Sequence, residues 1–311
     1  MTETCRVHLV VNPFSARGRT AERWKTIREA VRQYYREFKY VFTERPLQAT
    51  EIVRELLRDG FDLIIGVGGD GTLNEIANGF FAENQHCAIN GDASLGMIPS
   101  GTGSDFIRGL KIPRDLRASL QRIKTALPRR IDAGRIEYLG ADAPAPRYFV
   151  NVADFGIGAE VVRRLTNVPV RKPGRWTYYS GLLSTIRNYS SPCIRIETDE
   201  GVRLEGRFLI GAVANGSVFG GGMIIAPDAR ADDGCFDLVL VDDMKPLAII
   251  RRSLSLYTGT IQKRPEVRVL RARSIEVHTN NETVGLEFDG EPGGTLPARF
   301  ECLPACLNIR L

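Results

Sequence analysis

Four glycines, Gly66, Gly68, Gly69 and Gly71, crowd into one short stretch with a carboxylate, Asp70, among them. The apolar run Leu63 to Val67 leads into the stretch. A helical pattern opens at Thr72, with Leu73, Ile76, Ala77 and Phe80 on one face. A strand, a glycine turn and a helix in that order form a phosphate cradle. Without Cβ atoms the backbone amides approach an anion closely, and the helix N-terminus adds positive potential. Asp70 is out of character there. A carboxylate in the middle of such a loop repels phosphate unless a cation lies between them, or unless it handles a proton or a hydroxyl. A second glycine-rich loop, Ser100-Gly101-Thr102-Gly103-Ser104-Asp105, follows the strand pattern Ser94 to Ile98, and a donor-rich turn, Asn12 to Arg19, follows the run Val7 to Val11. Far downstream lie Asp232-Asp233-Gly234 and Asp289-Gly290-Glu291. Taken singly, each Asp-Gly pair reads as a hairpin turn.

Other chemistries fit less well. Gly66, Gly68 and Gly71 spell a dinucleotide fingerprint with Asp92 about 20 residues on. Asp92, however, sits in the turn Asn90-Gly91-Asp92, and Asp70 would press its charge on a pyrophosphate. The GxxxxGK[ST] pattern of a P-loop is absent. Three histidines and no HExxH leave little for a His-rich metal site or a Ser–His–Asp triad, and six scattered cysteines without CxxC read as reduced thiols of a cytoplasmic protein. A net charge of +5 is too weak to argue for nucleic acid. No leader pattern and no long apolar run occurs, so the expected protein is soluble.

These residues need elements to hold them. At 311 residues two domains are expected. Strand patterns at Val7–Val11, Lys39–Thr43, Leu63–Val67 and Ser94–Ile98 alternate with helical patterns. The first helix carries Trp24, Ile27, Val31 and Phe38, the second is expected from Pro46 to Gly60, and later ones at Phe106–Leu110 and Arg114–Leu127. Such alternation predicts a parallel sheet covered on both faces, with three loops at its carboxyl ends: Asn12 onward, Gly68 onward and Ser100 onward. After about Ile131 strands dominate: Arg130–Tyr138, Arg147–Phe155, Ile194–Asp199, Val202–Asn215, Cys235–Asp242, Ser274–Thr279, Val284–Asp289, Arg299–Cys302 and Leu307–Leu311. Helical stretches interrupt at Ile157–Thr166, Trp176–Tyr189 and Pro246–Thr258. The expected fold class is therefore α/β, a parallel-sheet domain over residues 1–132 with a C-terminal return at about 299–311, and a β-rich domain over 133–298.

Five elements in order, Asn12-Pro13-x-Ser15-x-x-Gly18, Gly68-Gly69-Asp70-Gly71-Thr72-x-Asn74-Glu75, Ser100 to Phe106, Asp232-Asp233-Gly234 and Asp289-Gly290-Glu291-Pro292, resemble the diacylglycerol kinase catalytic family, in particular its soluble bacterial lipid kinases. The resemblance covers nearly the whole chain. GGDGT alone is shared with NAD kinases. Ser104 departs from the asparagine common in the family.

The resemblance implies a nucleotide-binding α/β domain of NAD kinase/diacylglycerol kinase type and a β-sandwich domain, with the active site in a cleft between them. It implies that ATP binds at Asn12, Thr43, Gly68, Gly69, Asp70, Gly71, Thr72, Leu73, Asn74, Gly101 and Thr102. It makes Asp289, Glu291 and Asp70 the candidate catalytic acids, with Glu291 narrowly favoured over Asp289 to take the proton of a lipid hydroxyl. It implies Mg²⁺ on the Asp233 side chain and on backbone carbonyls near Arg230 and Cys235, and it places Asp132 near the acidic network. The expected function is an ATP-dependent kinase of a diacylglycerol-like or related lipid. An NAD kinase-like phosphotransferase and a non-catalytic nucleotide- or lipid-binding regulator are the alternatives. The expected partner is a membrane lipid met at a bilayer surface, not nucleic acid, and a homodimer is left open. Arg163 to Tyr179 joins basic residues to Trp176, Tyr178 and Tyr179, a candidate membrane-facing patch.

Overall fold

The computed structural model describes residues 5–82, 85–101, 105–139, 145–166, 175–280 and 282–310, with only the backbone at 166 and 175–177. The chain divides into two units. One comprises Met1–Asp132 with Ala305–Leu311, the other Ala133–Pro304.

The first unit runs β1 (Val7–Val11), α1 (Arg19–Tyr34), β2 (Lys39–Phe42), α2 (Gln48–Arg58), β3 (Leu63–Gly68), α3 (Asp70–Phe80), β4 (Ser94–Pro99), α4 (Asp105–Gly109) and α5 (Leu116–Thr125). β4, β3, β1 and β2 lie side by side in that order, all parallel, with Val7 against Leu63 and Leu63 against Ser94. Every residue of β1 and β3 is buried, which is why both read as continuous apolar runs: helices cover each face. Ile27 and Val31 of α1 with Leu120 and Ile123 of α5 pack on one face, against Leu9, Ile65 and Val67. On the other, α2 and α3 pack together, and Gly79 permits it, since a Cβ there would come within 2.6 Å of Val53.

Helix ends follow local chemistry. Asp115 caps α5 by accepting the Ala118 N–H at 2.9 Å. Gly60 (φ 78°) ends α2 in a Schellman motif, with Gly60 N–H to Leu57 C=O and Phe61 N–H to Leu56 C=O. The start of α2 differs from expectation. It begins at Gln48 rather than Pro46, because Leu47 adopts φ 64° and interrupts the turn.

The second unit runs β5 (Arg129–Tyr138, which carries the chain out of the first unit), β6 (Arg147–Phe149), β7 (Val152–Gly156), α6 (Ile157–Thr166), α7 (Arg175–Ile186), β8 (Cys193–Thr198), β9 (Arg203–Ala214), β10 (Val218–Phe219), β11 (Met223–Ile224), β12 (Phe236–Asp242), α8 (Pro246–Tyr257), β13 (Val267–Ala272), β14 (Ser274–Thr279), β15 (Gly285–Phe288), β16 (Glu291–Thr295) and β17 (Ala298–Arg310). Its strands are antiparallel. β13, β12, β9, β7, β15 and β16 form one layer, and the first half of β9 turns away to pair with β8, which continues through β14 to the start of β17. Alternation along β12 shows the sandwich plainly. Phe236, Leu238 and Leu240 enter the core between layers with Phe155, Phe208, Ile275 and Phe300, whereas Val239 and Val241 face outward with Ile157, Val161 and Ile249 of the helices. The architecture is thus α/β with a parallel-sheet core, plus a β-sandwich-like region.

Two expected strands are corrected. Arg147–Phe155 is broken into β6 and β7 at Val150-Asn151, whose amides are drawn to a side chain elsewhere. Arg299–Cys302 and Leu307–Leu311 form one strand, β17, with an irregularity at Ala305 (φ 49°). Its last residues, Asn308–Arg310, pair in parallel with β4 and extend the first unit's sheet. The turn expected at Asp142 to Pro146 lies mostly outside the described residues.

Candidate functional site

In the first unit three loops leave the carboxyl ends of β1, β3 and β4 and are laced together. The Asn12 amide donates to Val67 C=O at 3.0 Å, and the Asn12 Nδ2 donates to Thr72 Oγ1 at 3.1 Å. Ser100 N–H donates to Gly68 C=O at 2.7 Å. The hydroxyl of Thr20 bonds Ser15 Oγ at 2.5 Å and Ser100 Oγ at 2.6 Å, joining the first loop to the third. Ala16 and Arg17 both hold positive φ in the first loop, a strained backbone of the kind that ordered functional loops carry.

The glycines have distinct jobs. A Cβ on Gly101 would come 2.7 Å from Gly69 Cα, so the two glycine loops touch backbone to backbone. A Cβ on Gly68 would come 2.3 Å from Thr72 Oγ1. Gly66, counted in the fingerprint by spelling alone, is a packing glycine: its Cβ would strike Ile76 Cδ1 at 2.6 Å. Gly69 is the N-cap of α3, and the first-turn amides of Asp70, Gly71 and Thr72 lack intrahelical acceptors.

Asp70 is not in mid-loop as the sequence suggests but is the first residue of α3. Its Oδ2 accepts the Asp105 N–H at 2.9 Å and so ties α3 to the start of α4. Glu75 turns out to cap another helix: its Oε2 accepts the Ala49 N–H at 3.1 Å. Asn74 is buried and receives Asn78 Nδ2. Leu73 is buried, with its N–H on Gly69 C=O. Thr43, buried just past β2, donates its N–H to Val11 C=O at 2.9 Å. Asn12, Thr43, Gly68 to Asn74 and Gly101 thus gather about the ends of neighbouring strands. Thr102, Gly103 and Ser104 lie outside the described residues. Asp132 accepts the Ala305 N–H at 2.7 Å, a bond that seats the returning chain.

In the second unit Asp289 and Gly290 form a two-residue hairpin loop between the paired residues Phe288 and Glu291, with φ 52° and 88°. Positive φ at both central positions is the pattern of a type I′ turn. The Asp289 carboxylate accepts three amides, from Val150 at 2.9 Å, Asn151 at 3.0 Å and Val152 at 3.2 Å. Its own N–H returns to Val152 C=O at 2.9 Å. Glu291 is exposed at the head of β16.

Asp233 stands on an exposed turn with Gly234 (φ 73°). Its Oδ1 accepts the Cys235 N–H at 3.3 Å, its Oδ2 pairs with Arg271, and Arg230 pairs with Asp232. Burial pushes the Asp237 carboxyl up despite Arg271, and Asp233 and Asp228 add to the rise. Among the described residues no group of three or more His, Cys, Asp or Glu side chains converges as a metal cluster. The donors near Asp233 are hard oxygens with surplus negative charge, a set that suits Mg²⁺.

Sequence reasoning missed two acids, Asp154 and Glu287, both buried in the second unit. The signal was present: Asp154 interrupts an apolar strand, FVNVADFG, and Glu287 lies between Leu286 and Phe288. The candidate membrane patch from Arg163 to Tyr179 is largely outside the described residues. Arg163 and Arg164 at its start both pair with Glu160.

A parallel sheet with glycine-rich loops at its carboxyl ends, joined in one chain to a β-sandwich, marks the class of kinases that share the NAD kinase architecture. Residues 6–136 match the diacylglycerol kinase catalytic domain, and residues 151–311 match the YegS C-terminal NAD kinase beta sandwich-like domain. A diacylglycerol kinase of Staphylococcus saprophyticus subsp. saprophyticus is 32% identical over 266 residues, 83% of this chain and 79% of that one. A diacylglycerol kinase of Bacillus subtilis (strain 168) is 28% identical over 296 residues, 95% and 92% of the two chains. A solved diacylglycerol kinase structure from Bacillus anthracis str. Sterne has a TM-score of 0.72 at 21% identity, covering 100% of this chain and 98% of the other. Yeast NADH kinase in complex with NADH has a TM-score of 0.50 at 12% identity, covering 99% and 84%. This chain belongs to the bacterial diacylglycerol kinase family of lipid kinases.

Proposed function

We propose that this kinase transfers the γ-phosphate of ATP to a hydroxyl of a diacylglycerol-like or related lipid presented at a bilayer surface. The observation that carries the reading is the laced set of three loops around Gly68–Gly69 and Gly101, a close backbone approach at the N-terminus of α3. Family membership supports nucleotide use at those loops. In this reading Asn12, Gly68 to Asn74, Gly101 and Thr102 hold the phosphates, Thr43 lies by the nucleoside, and Asp70 orients the phosphate-binding turn through Asp105.

Glu291 takes the proton of the attacking hydroxyl. The three amides that Asp289 accepts support Glu291 over it for that role, and in this reading Asp289 fixes the turn that displays Glu291. Phosphoryl transfer asks little else of a protein than positioned phosphates, neutralised charge and an oriented alcohol. Asp233, with main-chain oxygens of Arg230 and Cys235, would hold Mg²⁺, which supplies charge neutralisation when bound. No helix among the described residues is long and apolar enough to cross a membrane, so the lipid would be reached from the surface.

The test is a γ-labelled ATP assay against vesicles of diacylglycerol, phosphatidylglycerol and sphingoid bases, with NAD as a competing acceptor. Label in a lipid, lost with Glu291→Gln, supports the reading. Label in NAD alone, or in no acceptor, overturns it. Excess EDTA is expected to abolish transfer, and restoration by Mg²⁺ but not Zn²⁺ checks the metal.

A further inference from the structure

The phosphotransfer reading leaves unused two buried acids that touch its turn. Asp154 in β7 and Glu287 in β15 are direct cross-strand partners, and each lies one residue from the core phenylalanines Phe155 and Phe288. Their exposures are 1% and 4%. Asp154 packs over the first turn of α6, so tightly that a Cβ on Gly158 would come 2.4 Å from its carboxylate oxygens. Glu287 reaches forward along its own hairpin, and its Oε2 accepts the Gly290 N–H at 3.0 Å. The turn is therefore gripped twice: Asp289 holds it to the β6–β7 break, and Glu287 holds it from inside β15.

Among the described residues no cation pairs with either acid. The groups that act on the pair are each other, the anionic Asp289 and the backbone of Ala159 and Gly290. From α6, Glu160 is spent on Arg163 and Arg164; from beyond α7, the Tyr189 hydroxyl has its own ionisation suppressed by burial and by Asp154. Arg147 lies over the Phe288 ring at 5.1 Å. Two adjacent carboxylates in such a medium cannot both ionise. Burial pushes Asp154 up to about 6, and burial together with Asp154 raises Glu287 further above the ordinary range. One proton is thus shared between them at neutral pH. A carboxyl that donates to Asp154 keeps its other oxygen for Gly290.

We propose that Asp154 and Glu287 form a proton-sharing pair that locks the Asp289–Gly290 turn and thereby aims Glu291, making both acids positioning residues for the transfer. The proposal rests on Glu291 as the proton acceptor, so its test needs one readout that does not depend on turnover. Three variants of the full chain suffice: Glu287→Gln, which keeps both the acceptor for Gly290 and a donor for Asp154, Glu287→Ala, which removes both, and Asp154→Asn.

Glu287→Ala is expected to lower kcat on the lipid by ~10²-fold, the usual effect of a misplacement of about 1 Å, with KM for ATP unchanged. Glu287→Gln is expected to restore kcat to within a few-fold. Wild-type kcat is expected to fall at alkaline pH as the shared proton leaves, and Asp154→Asn to remove that fall. Independently, amide hydrogen exchange over residues 285–292 is expected to speed up in Glu287→Ala and not in Glu287→Gln. Equal exchange and equal kcat in all forms would overturn the proposal, as would equal loss in Glu287→Gln and Glu287→Ala. If Glu287→Ala does not fold, the alkaline limb of Glu287→Gln and Asp154→Asn decides: a limb unchanged from wild type overturns the shared-proton lock. Wild-type protein that labels no lipid refutes the kinase reading alone, and exchange still tests the lock.

Discussion

Asp154→Asn should change how stability depends on pH, by an amount that the fold sets. In the unfolded chain the group titrates near its ordinary 3.8; in the native protein burial holds it at about 6. An acid whose native pKa is raised contributes stability while protonated and loses it as pH rises through the native value. Between about pH 4 and pH 6.5 the native state holds a proton that the unfolded chain has released. At roughly 1.4 kcal/mol per pK unit, the loss across that window is ~3 kcal/mol. His8 acts in the opposite sense in the first unit. Burial, with Lys39 nearby, lowers its pKa to about 4, so stability rises over much the same pH range. The raw pH profile of the wild type therefore mixes opposed slopes, with Glu287, also raised by burial, adding to the falling one, and the difference between wild type and Asp154→Asn reads what Asp154 contributes both directly and through Glu287. Urea unfolding of both at pH 4, 5, 6 and 7 is the assay. The variant is expected to gain ~3 kcal/mol relative to wild type from the lowest to the highest pH. A difference constant within ~0.5 kcal/mol would refute the reasoning, because an Asp154 that ionises freely in the native state cannot be buried without a cation.

Three further outcomes are expected. Gly101→Ala would set its new Cβ 2.7 Å from Gly69 Cα and so must move two backbones apart; KM for ATP should rise at least tenfold with the melting temperature lowered, whereas Gly91→Ala, with nothing within 4 Å, should match wild type in both measurements. Asp289→Ala strands three amides from a charged acceptor and should cost about 3 kcal/mol or more in denaturant unfolding, with Asp289→Asn between it and wild type. His8→Phe should remove the His8 share of the loss of stability as pH falls from 6.5 toward 4, read from melting temperatures against an Asp154→Asn parent in which the remaining opposing slope of Glu287 is common to both.

What the sequence discloses about this fold follows from burial. β1 and β3 are covered on both faces, so they appear as unbroken apolar runs, and the glycines after β3 stand out against them. The end of α2 at Gly60 and the α6 boundaries were legible for the same local reasons. Long-range bonds were not. The sequence offers Asp289 as a candidate acid but not its three amide donors, which lie 137 to 139 positions earlier in the chain. The break between β6 and β7 has the same cause and was equally hidden. Gly66 and Gly68 carry one spelling yet meet different neighbours, Ile76 and Thr72, a distinction no spacing rule contains. Asp154 and Glu287 were visible as acids among apolar residues, but only the register of β7 against β15 shows that they face each other.

The parallel pairing of Asn308–Arg310 with Ser94–Gly96 has a consequence for the order of events on the ribosome. More than two hundred residues separate the partners. While the whole second unit is being made, β4 waits with an open edge, a row of unpaired amides and carbonyls in an apolar strand. The waiting edge is a place where a nascent chain can be captured by a chaperone or by another nascent strand. When the last strand arrives, the Asp132 carboxylate takes the Ala305 amide and sets the register by which that edge closes. The unit that holds the nucleotide in the proposed reaction is thus the one whose sheet is finished last.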